Sequence, residues 1–102
     1  MTKKLTTQEE KLMLVLWRIG KGAMQDILQC YPDPKPAPNT LSTYLKILEE
    51  KNYVRHKRMG RQFEYAPIIS KFEYQQILLK HILVHYSDLD KSKLKLSIDF
   101  ID

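Results

Sequence analysis

Asn39, Ser42, Thr43 and Lys46 fall at i, i+3, i+4 and i+7, the spacing that gathers side chains onto one face of an α-helix. An amide, two hydroxyls and an ammonium on one face donate and accept hydrogen bonds, but they contain no nucleophile paired with a base. The chemistry they offer is recognition of a polar edge. Base edges in the major groove of B-form DNA display such a donor and acceptor pattern, and short polar residues approach them closely. Thr40 and the first-turn amides suit a phosphate instead, because a helix start presents unpaired N–H groups and partial positive charge. Arg55, Lys57, Arg58 and Arg61 follow within a short distance. They suit phosphates or an adjacent minor groove, and Arg61, beside Gly60, is the best placed to insert.

Periodicity shows which helices and strands hold these groups in place. Leu41, Leu45 and Leu48 line the other face of the same helix, with Asn39 as its N-cap, Pro38 fixing its entry and Lys51-Asn52 ending it. The period then changes to two. Tyr53 to Arg58, a Met59-Gly60 turn and Arg61 to Tyr65 read as a hairpin with a basic tip, with Tyr53 and Phe63 packing it onto the core. Upstream, Thr7 and Glu10 have the form of a capping box. They open a helix to Ile19 that is apolar nearly all round (Leu12, Met13, Leu14, Val15, Leu16, Trp17) and that Gly20 stops. A short helix from Ala23 to Tyr31 turns Met24, Ile27, Leu28 and Tyr31 inward, and the alternate prolines from Pro32 to Pro38 exclude further helix or strand. Three helices and then a wing is the winged helix-turn-helix order. The expected class is mainly α with a small β wing: residues 5–67 as a winged-helix DNA-binding domain, and residues 68–102 as a dimerisation segment.

That last segment starts with a second capping box, Ser70-Lys71-Phe72-Glu73, opening a helix to about Tyr86. Phe72, Leu79, Ile82, Leu83 and Tyr86 occupy one side, while Tyr74, Ile77, Leu78 and Val84 cover much of the rest. A helix so apolar must bury two surfaces, one on the domain and one on a second copy. The expected dimer contacts are Tyr74, Ile77, Leu78, His81, Ile82, His85 and Tyr86. Ile98 and Phe100 join them from a tail whose period fits strand or helix.

Charge localises the partner. Between Lys35 and Arg61 stand seven basic residues and two acids, so this module alone carries the formal +5 of the 102-residue chain. An excess confined to a helix and a hairpin indicates nucleic acid before membrane. A single cysteine, Cys30, allows no internal disulfide and no multi-cysteine metal site. With no signal-like or spanning run, the cytoplasm is the expected compartment and no membrane insertion is expected. His81 and His85 are four apart, but Ile82-Leu83-Val84 between them lacks the acid of a zinc peptidase. No metal, cofactor or enzymatic activity is expected. The competing functional class is a winged-helix module docking an acidic protein, for which the outward face at Asn39 to Lys46 lacks a large apolar anchor.

From Thr7 to Pro67 the chain resembles the penicillinase-repressor family of bacterial transcription regulators. LVLW in the first helix, NTLSTYLKILEEKNYV and GRQFEYAP carry the resemblance. It implies a homodimeric repressor on an inverted-repeat operator, commonly upstream of antibiotic-resistance or peptidase genes, with the reading helix on Asn39 to Lys51 and dimerisation through the C-terminal helices. Relief there follows cleavage in the dimerisation segment, through a regulatory peptidase linked to a membrane sensor. Relative to that pattern the chain ends before the last helix, and Asp99-Phe100 stands where an Asn-Phe bond is cut. The family's copper-responsive branch uses a C-terminal cysteine cluster that Cys30 alone does not supply.

Overall fold

Two overlapping T-x-x-E matches sit at the start of the first helix, and tertiary contact chooses between them. α1 spans Thr7–Ile19 with Thr6 as N-cap: the Glu9 N–H donates to Thr6 Oγ1 at 3.3 Å, and the Thr6 N–H donates to Glu9 Oε1 at 3.0 Å. The expected Thr7 and Glu10 pair is thus displaced by one residue. Glu9 wins because its carboxylate also accepts from Lys51 Nζ at 2.6 Å, in a site where its side chain is only 6% exposed. The computed structural model describes residues 4–85.

Gly20, at φ 86°, closes α1 by donating its N–H to the Leu16 carbonyl at 2.8 Å. α2, Met24–Cys30, begins where the Ala23 N–H donates to Asp26 Oδ2 at 2.9 Å. α3 covers Pro38–Glu50 with Ala37 as its N-cap residue. Asn39 is therefore the second helical residue and not the cap; the preset φ of proline suits the first helical position, so the helix starts at Pro38. α3 ends as expected at Lys51-Asn52. Asn52 takes φ 66°, and the amides of Asn52 and Tyr53 reach back to the carbonyls of Glu49 and Leu48 at 3.0 and 2.9 Å. This is a Schellman closure with asparagine in the usual glycine position.

β1, Val54–Met59, pairs antiparallel with β2, Gln62–Pro67, from Val54 opposite Pro67 to Met59 opposite Gln62. The loop is Gly60-Arg61, one residue beyond the expected Met59-Gly60. Gly60 has φ 65°, and a tight two-residue hairpin demands positive φ at its first loop position. Gly22, between α1 and α2, bridges Tyr65 through reciprocal backbone bonds of 3.0 and 2.9 Å.

The core of the unit spanning Met1–Lys71 is built from Leu12, Leu16, Ile27, Leu41, Leu45, Leu48 and Tyr53, each at 1% exposure or less. The leucine stripe of α3 is buried as its spacing requires. α1 is less enclosed than its composition suggests, since Leu14 is 41% exposed. Trp17 donates its Nε1–H to the Ile69 carbonyl at 2.8 Å. α4, Lys71–His85, forms most of what is described of the second unit, Phe72–Asp102, and Tyr74 is buried. Among the described residues no helix is long and apolar enough to cross a membrane.

One core residue is imperfectly matched. Tyr31 is 5% exposed, and its hydroxyl finds no hydrogen-bond partner among the described residues. Burial, with a smaller contribution from Tyr44, pushes the phenol above its ordinary 10.0. Removing a buried, unsatisfied hydroxyl relieves a desolvation cost. Tyr31→Phe should raise the unfolding free energy by about 1 kcal/mol in a urea titration; a loss of that size would show that the hydroxyl has a partner.

Candidate nucleic-acid interface

The leucine stripe of α3 turns inward, and this fixes what the helix shows outside. Asn39, Thr40, Ser42, Thr43 and Lys46 are all exposed. The first backbone bond of the helix runs from Leu41 N–H to the Ala37 carbonyl at 3.0 Å, so the amides of Asn39 and Thr40 precede the intrahelical ladder. Asn39, relieved of capping, presents its whole carboxamide. Thr43 is more constrained, because its Oγ1 donates to the Asn39 carbonyl at 3.0 Å. What remains of it for a base edge is an acceptor oxygen and a methyl group.

The hairpin separates its cations by strand parity. Arg55 and Lys57 stand opposite Ala66 and Glu64, whereas His56 and Arg58 stand opposite Tyr65 and Phe63. Alternate residues point to opposite faces, so these cations form two sets. On one face His56 Nδ1 approaches both carboxylate oxygens of Glu49, the longer contact being 2.8 Å, and its ring meets Phe63 edge-on at 4.8 Å. The C-terminal turn of α3 is thereby joined to the wing. On this face, too, Arg58 donates Nε–H to the Gly60 carbonyl at 3.2 Å, and its guanidinium lies 5.9 Å from the Phe63 ring centre. Arg61 occupies the loop itself and is exposed. Phe63, expected in the core, is 43% exposed; it stands opposite Arg58, one pair from the loop, and lines an open depression with Met24, Gln25 and Leu28 of α2. Tyr53 is fully buried, as expected.

Two charges counted in the basic module are used internally. Lys35 Nζ donates to the carbonyls of Leu28, Gln29 and Tyr31 at 2.7, 3.3 and 2.7 Å, closing the end of α2. Lys51 is bound to Glu9. The exposed cations left for a ligand are Lys46, Arg55, Lys57, Arg58 and Arg61, with Lys57 only 3.7 Å from Glu64. Sequence reasoning missed Lys21, which the Gly22–Tyr65 bridge carries to the wing; a single extended residue between two helices leaves no periodic signal.

On α4, Ile77, Leu78, His81 and Ile82 are half-buried and His85 is exposed, while Tyr74 retains only 3% of its surface. The rings of His81 and His85 are 4.1 Å apart. Tyr86, Ile98, Asp99 and Phe100 lie outside the described residues.

Solved structures share this architecture. The DNA-binding domain of the repressor BlaI is 24% identical over 72% of this chain and 92% of its own, with a TM-score of 0.63. The CopR repressor is 25% identical over 67% of this chain and all of its own, at 0.55. Reduced AbfR, solved bound to DNA, is 21% identical over 95% of this chain and 68% of its own, at 0.57. A curated relative, an uncharacterized 16.5 kDa protein from the ptsI 3′ region of Latilactobacillus sakei, is 22% identical over 93 residues, which are 90% of this chain. The chain spans 64% of that relative's length. The winged helix is common to the solved structures, and the sequence pattern of penicillinase repressors runs through residues 5–98: the chain belongs to the penicillinase repressor family.

Proposed function

We propose that the chain is a transcriptional repressor that reads double-stranded DNA with α3 and grips its backbone with the wing. The observation that carries this reading is the exposure of Asn39, Ser42, Thr43 and Lys46 on the face of α3 opposite a buried leucine stripe. Asn39, Ser42 and Lys46 are the base-reading groups, and Thr43 contributes its methyl and acceptor. Thr40 with the first-turn amides, and Arg58 and Arg61 with the wing's other cations, hold phosphates or enter the minor groove. Family membership supports a homodimer on an inverted repeat, with the half-buried apolar residues of α4, Ile77, Leu78 and Ile82, as contacts. It also supports relief by a peptidase acting on the C-terminal segment. Repression of this kind takes place in the cytoplasm.

The test is an anisotropy titration of the chain on its own upstream DNA, comparing duplexes with two inverted half-sites, one half-site and a scrambled sequence. Tight cooperative binding to the two-site duplex is expected, with half-sites about one helical turn or a multiple apart. Equal, weak, salt-sensitive binding to all three would remove operator reading. No binding at low salt would favour docking to an acidic protein instead.

A further inference from the structure

The face of the wing that carries Arg55 and Lys57 encloses a depression of about 200 Å³, lined by Lys21, Arg55, His56, Lys57, Glu64 and Ala66. Ala66 is the reason it exists. Its side chain is a single methyl, set directly across from Arg55 and next to the Lys57–Glu64 pair, so it forms a floor between longer walls. Lys21 enters from the turn between α1 and α2, held at the sheet by the two backbone bonds between Gly22 and Tyr65.

The charge within it is unbalanced. Lys57 lies 3.7 Å from Glu64, while no described residue forms an ion pair with Lys21 or Arg55. Three cations therefore surround one carboxylate in a concave site, where low-dielectric walls concentrate the field. His56 does not alter this balance, because its ring is turned to the opposite face against Glu49 and Phe63. The volume is below the roughly 300–1,000 Å³ of pockets that enclose drug-sized ligands. It suits one compact, strongly charged group.

We propose that this depression is a phosphate-binding site, separate from the DNA-reading face of α3. Arg55 supplies a planar fork of donors to two phosphate oxygens, and Lys21 and Lys57 act as point charges on either side. The phosphate has two sources: the backbone of a duplex held by the wing, or a small phosphorylated compound. Only the first rests on the DNA-binding reading.

Nuclear magnetic resonance titrations of the ¹⁵N-labelled chain separate these sources. Inorganic pyrophosphate is titrated first and a short random-sequence duplex second, into the wild type and into Lys21→Ala and Ala66→Leu. Ala66→Leu keeps every charge and fills the floor; Lys21→Ala alters an exposed turn residue and controls for a folding defect in the other. Saturable shifts of the Lys21, Arg55 and Lys57 amides with pyrophosphate, weakened at least about tenfold in both variants, establish the site for free phosphate compounds. If only the duplex moves these amides, and Lys21→Ala reduces the salt slope by about 0.9, the phosphate belongs to the DNA backbone. Silence of the three amides toward both ligands, or wild-type binding by Lys21→Ala, overturns the proposal. A chain that ignores duplex DNA but binds pyrophosphate here would refute the repressor reading and leave this site standing.

Discussion

Lys51→Met should lower the unfolding free energy at pH 7 by about 3 kcal/mol, the low end of the range for breaking a buried ion pair, because one partner keeps some contact with water. The side chains of Lys51 and Glu9 are 20% and 6% exposed, and their charged atoms are 2.6 Å apart. Without Lys51 the carboxylate keeps its bond from the Thr6 N–H but is left in the core without its cation. The double variant Glu9→Gln/Lys51→Met should recover most of the loss, since no uncompensated charge remains. The pH dependence distinguishes this mechanism from simple loss of packing. Burial pushes the Glu9 carboxyl up, but the hydrogen bond and charge of Lys51 together with Thr6 outweigh it and hold it below its ordinary 4.5. A depressed carboxyl contributes stability that is fully present above the ordinary value and lost as pH falls through the lower, folded one. In Lys51→Met burial faces weaker opposition, the carboxyl rises, and the folded state takes up a proton more readily than the unfolded chain. The gap between wild type and variant should therefore narrow as pH falls from 7 to below 4.5. Denaturant titrations across that range check it, and a constant gap would mean that the pair acts through packing alone.

Lys46→Ala should erode discrimination between operator and random DNA by about 1–3 kcal/mol, or roughly 5- to 150-fold, while leaving affinity for random duplex nearly unchanged. The reason is position. Lys46 is exposed one helical turn beyond Ser42 and Thr43, on the face that a major groove would meet. Arg61→Ala should act in the opposite manner. In the proposed complex a cation in the hairpin loop would contact phosphate or minor groove, so its loss should weaken binding to both duplexes and reduce the salt slope by about 0.9. Anisotropy titrations of both variants at several salt concentrations separate the roles. Equal losses for Lys46→Ala on operator and random DNA would reduce it to a phosphate contact. An unchanged slope for Arg61→Ala would remove the loop from the interface.

Element type and order were readable wherever one physical signal dominated. The spacing of Leu41, Leu45 and Leu48 required a helix buried on that side, and all three are at 1% exposure or less. Gly20 and Asn52 ended their helices because the chain needs positive φ there, at 86° and 66°. Boundaries shifted where two local solutions were nearly equal. Thr6 with Glu9 and Thr7 with Glu10 have the same pattern, and the ion pair of Glu9 with Lys51, distant in sequence, favours the first. The hairpin loop moved one residue because alternation of side chains does not specify where a turn places its glycine.

The kind of surface this protein presents, a polar helix face opposite a leucine stripe and then a basic hairpin, follows from the order of its residues. Period and charge are local properties that survive any packing. The folded arrangement sets which charges remain available. It binds Lys35 and Lys51 internally, divides Arg55 and Lys57 from Arg58 through strand parity, and brings Lys21 to the wing across a backbone bridge. A count along the chain adds charges as if they shared one space, whereas pairing and facing depend on contacts between residues far apart in sequence.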